Sequence, residues 1–258
     1  MKKLEEEKQT PEITVVIPIY GEQENIPELY RRLLDVLNNL CDGEGFGQNG
    51  FEIIFVDDGS KDNSWNLIRQ LHSKDNRLKG LRFSRNFGHH FAITAGIDYA
   101  RGNTVVIMDG DLQVPPEEIA KLYDKYKEGY DIVYGIRSNR QDPLLKKILA
   151  MFFWLIINKI CSVEMPRNQT MLRILSRRVV KLLTEMKESS RFIHGMIAWV
   201  GFETAQVEIS HGARTRGKSK YNLINQIRLA LHAVTSFSLF PLRLASYLGF
   251  ATSIVSFI

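Results

Sequence analysis

Asp109 and Asp111 stand one residue apart directly after a continuous apolar run, Thr104 to Met108. Carboxylates in that setting suit a divalent cation such as Mg²⁺, which takes hard oxygen ligands and pairs one or two carboxylates with substrate phosphates. A D-x-D alone fits a turn or a helix cap as well. Three further features favour a metal–diphosphate site. Asp57 and Asp58 close an equivalent apolar run, Gln113 adds an oxygen two residues beyond Asp111, and basic residues are plentiful downstream. Arg and Lys supply the charge that a diphosphate needs from its site.

Other charged clusters leave alternatives open. Arg214, Arg216, Lys218 and Lys220 form a short basic loop around Gly217. Such a loop suits a solvated surface, an anionic lipid head group or a diphosphate leaving group. Lys146 and Lys147 begin an apolar stretch, where they would anchor a membrane surface or attract an acceptor phosphate. His89 and His90 are neighbours, and adjacent residues on a helix face different ways, so a shared metal ion is not expected. His90 is a candidate helix cap. Asn168-Gln169-Thr170 matches the glycosylation pattern by chance.

The elements that position these residues follow from the apolar pattern. Ile13 to Ile17, Phe51 to Val56, Thr104 to Met108 and Asp131 to Gly135 are short, apolar and β-branched, the mark of strands buried on both faces. A shorter strand is expected at Leu78 to Ser84. Helices alternate with them. One is capped by Asn25, with Pro27 just inside its start and Leu29, Leu33, Leu34 and Leu37 at helical spacing. Others begin near Asp62 to Ser64, at His90 and at Glu117. Alternation of this kind gives an α/β fold with a mostly parallel sheet covered by helices on both faces. Ligands on such sheets gather at the carboxyl ends of the strands. Tyr20, Glu22, Asp57, Asp58, Asp109, Asp111 and Arg137 all fall at those ends.

Beyond Asp142 the texture changes. Helices are expected at Leu144 to Ile160, Ile174 to Met186 and Arg191 to Val200, with a strand at Glu203 to Ile209. From Asn222 an amphipathic helix carries Leu223, Ile227, Leu231 and Val234 on one face. Phe237 to Ile258 is about 22 residues with one charge, Arg243, near the length of a membrane span. Pro241 and Arg243 interrupt it, and the cleaner run from Leu244 is too short to span alone, so the start of a transmembrane segment is expected here, the alternative being a re-entrant or interfacial helix. The organisation is thus a catalytic domain over 1–221 and a juxtamembrane tail over 222–258.

Bulk composition agrees. Of the 258 residues, 44% are hydrophobic and 24% charged, a globular balance with a formal charge of +5. That excess is too small and dispersed for nucleic acid, and no nucleic-acid motif is present. The two cysteines, Cys41 and Cys161, lack ligand spacing.

Five stretches, taken in order, resemble family 2 glycosyltransferases of the GT-A fold, and among them the polyprenyl-phosphate (dolichyl-phosphate or bactoprenol) hexosyltransferases. They are Val16 to Glu22, Val56 to Ser60, Ser84 to Gly88, Met108 to Gln113 with Pro115-Pro116, and Arg214 to Tyr221. The resemblance implies roles. Pro18, Tyr20, Glu22 and Asp58 would hold the nucleoside of a nucleotide-sugar. Asp109, Gly110, Asp111 and Gln113 would hold Mg²⁺ or Mn²⁺ and the diphosphate. Arg214 and Lys220 would close over that diphosphate. Arg137 and Arg173 would steer a polyprenyl-phosphate acceptor at the cytoplasmic face of the cell membrane, and a homo-oligomer is compatible with this. Gly21 replaces a common Asn, Gly110 a usual Ala and Val114 a usual Asp or His. Met171 stands where many relatives carry an Asp considered as a base. A phosphate monoester is largely anionic at neutral pH and needs no such base, whereas a sugar hydroxyl does. The alternatives are a hydroxyl-directed glycosyltransferase of a surface glycan and a nucleotide-binding membrane subunit without turnover.

Overall fold

Strand order β3-β2-β1-β4-β6-β5-β7 defines one mixed sheet among the residues described by the computed structural model, which are 10–47, 50–137, 168–188, 191–210, 212 and 240–257. The strands are β1 (Ile13–Ile19), β2 (Phe51–Asp57), β3 (Leu78–Arg82), β4 (Thr104–Ile107), β5 (Ile132–Arg137), β6 (Gln169–Ser176) and β7 (Thr204–Ile209). β1 pairs in parallel with β2 and β4, β2 with β3, and β5 with β7. β6 alone runs antiparallel, between β4 and β5. The expected strands are present, and the carboxyl ends of β1, β2, β4 and β5 share one edge.

The side-chain period of two explains how β1 serves two layers. Ile13, Val15, Ile17 and Ile19 join α1 (Ile26–Glu44), α2 (Ser64–Lys74) and α4 (Glu118–Tyr126) in one core with Leu29, Leu33, Ile68, Ile119 and Leu122. Val16, fully buried, faces α3 (His89–Tyr99), which packs on β1 and β2. α5 (Arg177–Glu185) lies against α3, β4 and β6. Each fully buried Ile or Leu contributes about 1.5–3 kcal/mol.

Three local expectations are corrected. β1 continues through Pro18 because its β4 partner ends at the Val16–Ile107 pair, so no ladder bond on that side requires the missing N–H. Asn25 gives no side-chain cap; its Nδ2 donates to Glu22 Oε2 at 2.7 Å instead. The helix expected from Ile174 starts at Arg177, because Thr170, Leu172, Ile174 and Ser176 belong to a strand completing the sheet beside β4. Ser176 then caps α5 by accepting from Val179 N.

The chain divides into two compact units: Met1–Asn139, Arg167–Lys187 and Phe202–Gly217 in one, Arg140–Pro166, Glu188–Gly201 and Lys218–Ile258 in the other. The first holds the sheet and α1 to α5. Within the second, the described helices are α6 (Ile193–Trp199) and α7 (Phe240–Phe257). No helix among the described residues is long and apolar enough to cross a membrane, which departs from the expectation for 237–258. The Ser and Thr residues and Gly249 dilute that segment. Thr252 Oγ1 bonds to the Leu248 and Gly249 carbonyls, and Ser256 Oγ to that of Thr252. The helices expected at 144–160 and from 222 lie outside the described residues.

Not every buried acid belongs to the site. Glu52 lies near the start of β2, at the opposite edge of the sheet, and is 2% exposed. It accepts from Thr14 Oγ1 and Arg101 N, both at 2.8 Å, and pairs with Lys79 and Arg101. Burial pushes its pKa up, but these partners outweigh it and hold the carboxyl below its usual range. Glu52→Ala should cost about 2–3 kcal/mol in denaturant unfolding, because it strands two donors and two cations that solvent reaches in part. Near-UV circular dichroism of the folded fraction should be unchanged; a parallel loss of that signal would contradict a purely local structural role.

Candidate active site

The carboxyl edge is assembled from four loops, after β1, β2, β3 and β4. Asp58 N donates to Ile19 O at 2.8 Å, which locks the ends of β1 and β2 together. Gly21 N donates to Ser60 Oγ at 3.0 Å and Glu22 N to Ser64 Oγ at 3.1 Å, so the Tyr20–Glu22 turn is built onto the Asp58–Ser64 turn. Pro18 is buried in β1, and Tyr20 is exposed at the mouth of a cleft. Glu22 is half-buried and held by Asn25.

Asp57 and Asp58 look alike in sequence and differ in placement. Asp57 is fully buried; its Oδ1 accepts from Ser60 N at 3.0 Å and its Oδ2 lies 3.4 Å from Arg82 Nε. Asp58 reaches across to the 84–88 loop, where its two oxygens accept from Phe87 N (2.7 Å) and Gly88 N (3.0 Å). Those donors precede the first turn of α3, where the helix dipole favours an anion. Burial pushes the Asp58 carboxyl up, and the two N–H bonds oppose that push. Gly59 makes the contact between the loops possible. Its φ is +71°, and a Cβ there would lie 2.4 Å from the Arg85 carbonyl carbon, a backbone atom that cannot yield.

Between these loops lies a cleft of about 660 Å³ lined by Tyr20, Ser60, Lys61, Arg82, Arg85 and Asn86, among others. Arg85 lays its guanidinium 4.0 Å from the centre of the Phe87 ring. The sequence marks the 84–88 stretch only as part of a motif; that it forms a cleft wall depends on Asp58 drawing it in.

Past β4 the acidic loop turns sharply. Asp109 is 36% exposed at the side chain and its Oδ1 lies 3.4 Å from His89 Nε2. Asp111 is 7% exposed and its Oδ1 accepts from Gln113 N at 3.1 Å. Leu112, between them, has φ +59°, a left-handed conformation that a leucine adopts at a cost. A Cβ on Gly110 would meet Ile19 Cδ1 at 2.6 Å. The replacement of Ala by Gly is thus matched to a bulky Ile19 on β1. Gln113 O accepts from Gly212 N at 2.9 Å, which ties the segment after β7 to the acidic loop. Arg214 and Lys220 lie outside the described residues.

Among the described residues no three His, Cys, Asp or Glu side chains cluster as a self-sufficient metal cage. The donor set still fits Mg²⁺ or Mn²⁺, which take one or two carboxylates and complete their shell with phosphate and water. One half-buried and one shielded aspartate on a bent loop match that pattern. His89 is the residue that the spacing argument missed. Its Nε2 faces Asp109. Its place at the start of a helix leaving the ligand-binding edge was the available signal.

The two arginines separate. Arg137 is exposed at the carboxyl end of β5. Arg173 is fully buried on β6, opposite Ile107, with Nη2 donating to Thr170 O at 2.8 Å and the guanidinium 5.4 Å from the Tyr134 ring centre. Burial lowers its pKa to about 10, opposed by Tyr134 and Asp109. So placed, Arg173 puts positive charge beneath Asp109 and does not present itself to solvent.

Comparison with known proteins now defines the class. Residues 14–183 match the family described as glycosyl transferase family 2. An undecaprenyl-phosphate 4-deoxy-4-formamido-L-arabinose transferase of Shewanella sediminis is 37% identical over 238 residues, covering 92% of this chain and 70% of its own. A prophage bactoprenol glucosyl transferase homolog of Escherichia coli is 37% identical over 247 residues, covering 95% and 78%. In structure, a mannosyltransferase of Pyrobaculum calidifontis, in complex with GDP-Man and Mn²⁺, superposes with a TM-score of 0.56 at 17% identity, over 80% of this chain and 58% of that one. The chain belongs to glycosyl transferase family 2 and has a GT-A-like α/β fold. It is a glycosyltransferase.

His90, beside His89, gives the edge a pH signature. Its Nδ1 is shielded from water, and burial pushes the imidazole down to about 3, helped by His89 and Arg173. Between that value and the ordinary 6.5 the unfolded chain binds a proton that the folded chain refuses. Stability therefore falls as pH drops through this window, by up to about 1.4 kcal/mol per pH unit from this residue. His90→Gln should remove that slope in denaturant unfolding between pH 7 and 4; a variant whose profile parallels the parent's would refute the assignment.

Proposed function

We propose that the protein transfers a sugar from a nucleotide-sugar to a polyprenyl phosphate, at the cytoplasmic face of a membrane and with a divalent metal. The observation that carries this is the adjacency, on one sheet edge, of the Tyr20–Asn86 cleft and the Asp109–Gln113 loop. Supporting the acceptor class are relatives named for bactoprenol and undecaprenyl phosphate. Supporting the membrane is α7, whose residues 245–257 are all exposed and mostly apolar.

In this reading the cleft holds the nucleoside, with Tyr20 at its mouth and Asp58 fixing its far wall. The diphosphate extends from there toward Asp109, Asp111 and Gln113. A bound Mg²⁺ or Mn²⁺ supplies positive charge to the departing diphosphate. Asp111, rigid through Gln113 N, and Asp109, flanked by His89 and underlain by Arg173, keep two anionic ligands preorganised for that ion. Gly212 N donates to Gln113 O, and Arg214 and Lys220, which follow in sequence, are the cations proposed to screen the phosphates. Arg137 receives the acceptor phosphate at the β5 end. An acceptor phosphate oxygen attacks the anomeric carbon as the bond to the nucleoside diphosphate breaks, and this single displacement inverts the configuration. Met171 in place of a carboxylate fits an acceptor that arrives already ionised.

Asp111→Ala should lower transfer from nucleotide-sugar to polyprenyl phosphate in detergent by about 100-fold or more while thermal unfolding stays cooperative. Excess chelator should do the same to the parent, reversibly. Full activity of the variant, or in chelator, would remove the metal from the mechanism.

A further inference from the structure

Two adjacent glutamates open α4 and take separate partners. Glu117 pairs with Arg32 of α1. Glu118 is 6% exposed and meets the chain that leaves β7. Its Oε1 accepts from Ser210 Oγ at 2.5 Å and from Ser210 N at 3.4 Å. Lys121 Nζ lies 2.7 Å from its Oε2. Burial pushes the carboxyl up, and Lys121 and the two Ser210 donors outweigh that push and hold it below its usual range. The helix dipole alone accounts for an acid in a first turn. It does not account for a buried one committed to a residue 92 positions away.

The chain after β7 is fastened a second time two residues on, where Gly212 N donates to Gln113 O at 2.9 Å. Gln113 N in turn donates to Asp111 Oδ1 at 3.1 Å. The two fastenings support each other. Gly212 is exposed, so its bond to Gln113 competes with water. With Ser210 already fixed on Glu118, less backbone freedom is lost in making it. The acidic loop has reason to need such support. Leu112 sits at φ +59°, and a residue held in that region stays there only when its surroundings fix it. Released, the loop would relax and carry Gln113 N away from the Asp111 carboxylate.

We propose that Glu118 is a positioning residue of the acidic loop: by clasping Ser210 it holds Gly212 on Gln113 and so keeps Asp111 aimed for a divalent cation. This rests on the reading of Asp109 and Asp111 as a metal site and deepens it by extending the support of that site to α4 and the exit of β7.

Glu118→Ala, Glu118→Gln and Ser210→Ala, each in the full chain, test it with two readouts. Electron paramagnetic resonance of free Mn²⁺ gives the affinity for the ion alone, and amide hydrogen exchange follows residues 108–114. Glu118→Ala should bind Mn²⁺ about tenfold more weakly than the parent, as loss of a group that orients a metal ligand does. Its 108–114 amides should exchange faster while those of β2 keep the parent's protection. Glu118→Gln, whose amide oxygen still accepts from Ser210, should return both readouts to near the parent's values. Parent-like Mn²⁺ affinity or parent-like exchange in Glu118→Ala would overturn the inference and leave the metal reading standing. An equal loss of affinity in Glu118→Gln would also overturn it, because charge and not the clasp would then matter. If Glu118→Ala does not fold, Ser210→Ala decides: it should weaken Mn²⁺ binding and loosen the same amides, and no change in either would overturn the inference. A parent that binds no Mn²⁺ would overturn both the inference and the metal reading.

Discussion

Four aspartates gather at one edge of the sheet, and each is held by a different partner. Asp57 faces Arg82 and the Ser60 N–H, Asp58 the N–H groups before α3, Asp109 the His89 ring, and Asp111 the Gln113 N–H. Like charges brought together raise one another's cost of ionisation, as Asp57 does for Asp58. A separate partner for each is what permits so much negative charge at one edge. The parallel strands β1 and β2 end level at the Ile19–Asp57 pair, and β4 ends earlier, at Val16–Ile107, so the chain after β4 runs alongside the end of β1.

The partners also divide the edge into two chemical zones. Around Asp57 and Asp58 the carboxylates are held by the protein's own donors, Arg82 and backbone N–H groups. Around Asp109 the carboxylate is partly open to solvent beside His89. In the proposed function the nucleoside lies in the first zone and the diphosphate in the second. Leu112, held at positive φ between Asp111 and Gln113, shows the backbone accepting local strain where the second zone is formed.

Much of this was legible in the residues. Continuous β-branched runs locate β1, β2, β4 and β5, and the acids at their ends locate the edge. β6 was hidden because Leu172, Leu175, Val179 and Leu183 sustain an apolar pattern across a strand and the helix that follows without a break. Only the cap at Ser176 separates them. Arg173 was misplaced for the same reason, since a residue on an unrecognised central strand cannot be seen to be buried. His89 escaped because adjacent histidines invite a question about a shared metal, when the relevant partner, Asp109, is distant in sequence. The role of Asp58 as the anchor of the 84–88 loop depends on tertiary pairing that no local pattern encodes.

The central claim is that a divalent cation and a diphosphate meet at Asp109 and Asp111. Anomalous scattering from crystals grown with Mn²⁺ and a nucleoside diphosphate tests it most directly. The expected result is one manganese peak within bonding distance of a carboxylate oxygen from this pair and of a diphosphate oxygen. A manganese peak away from both aspartates, or a diphosphate seated elsewhere on the sheet, would contradict it.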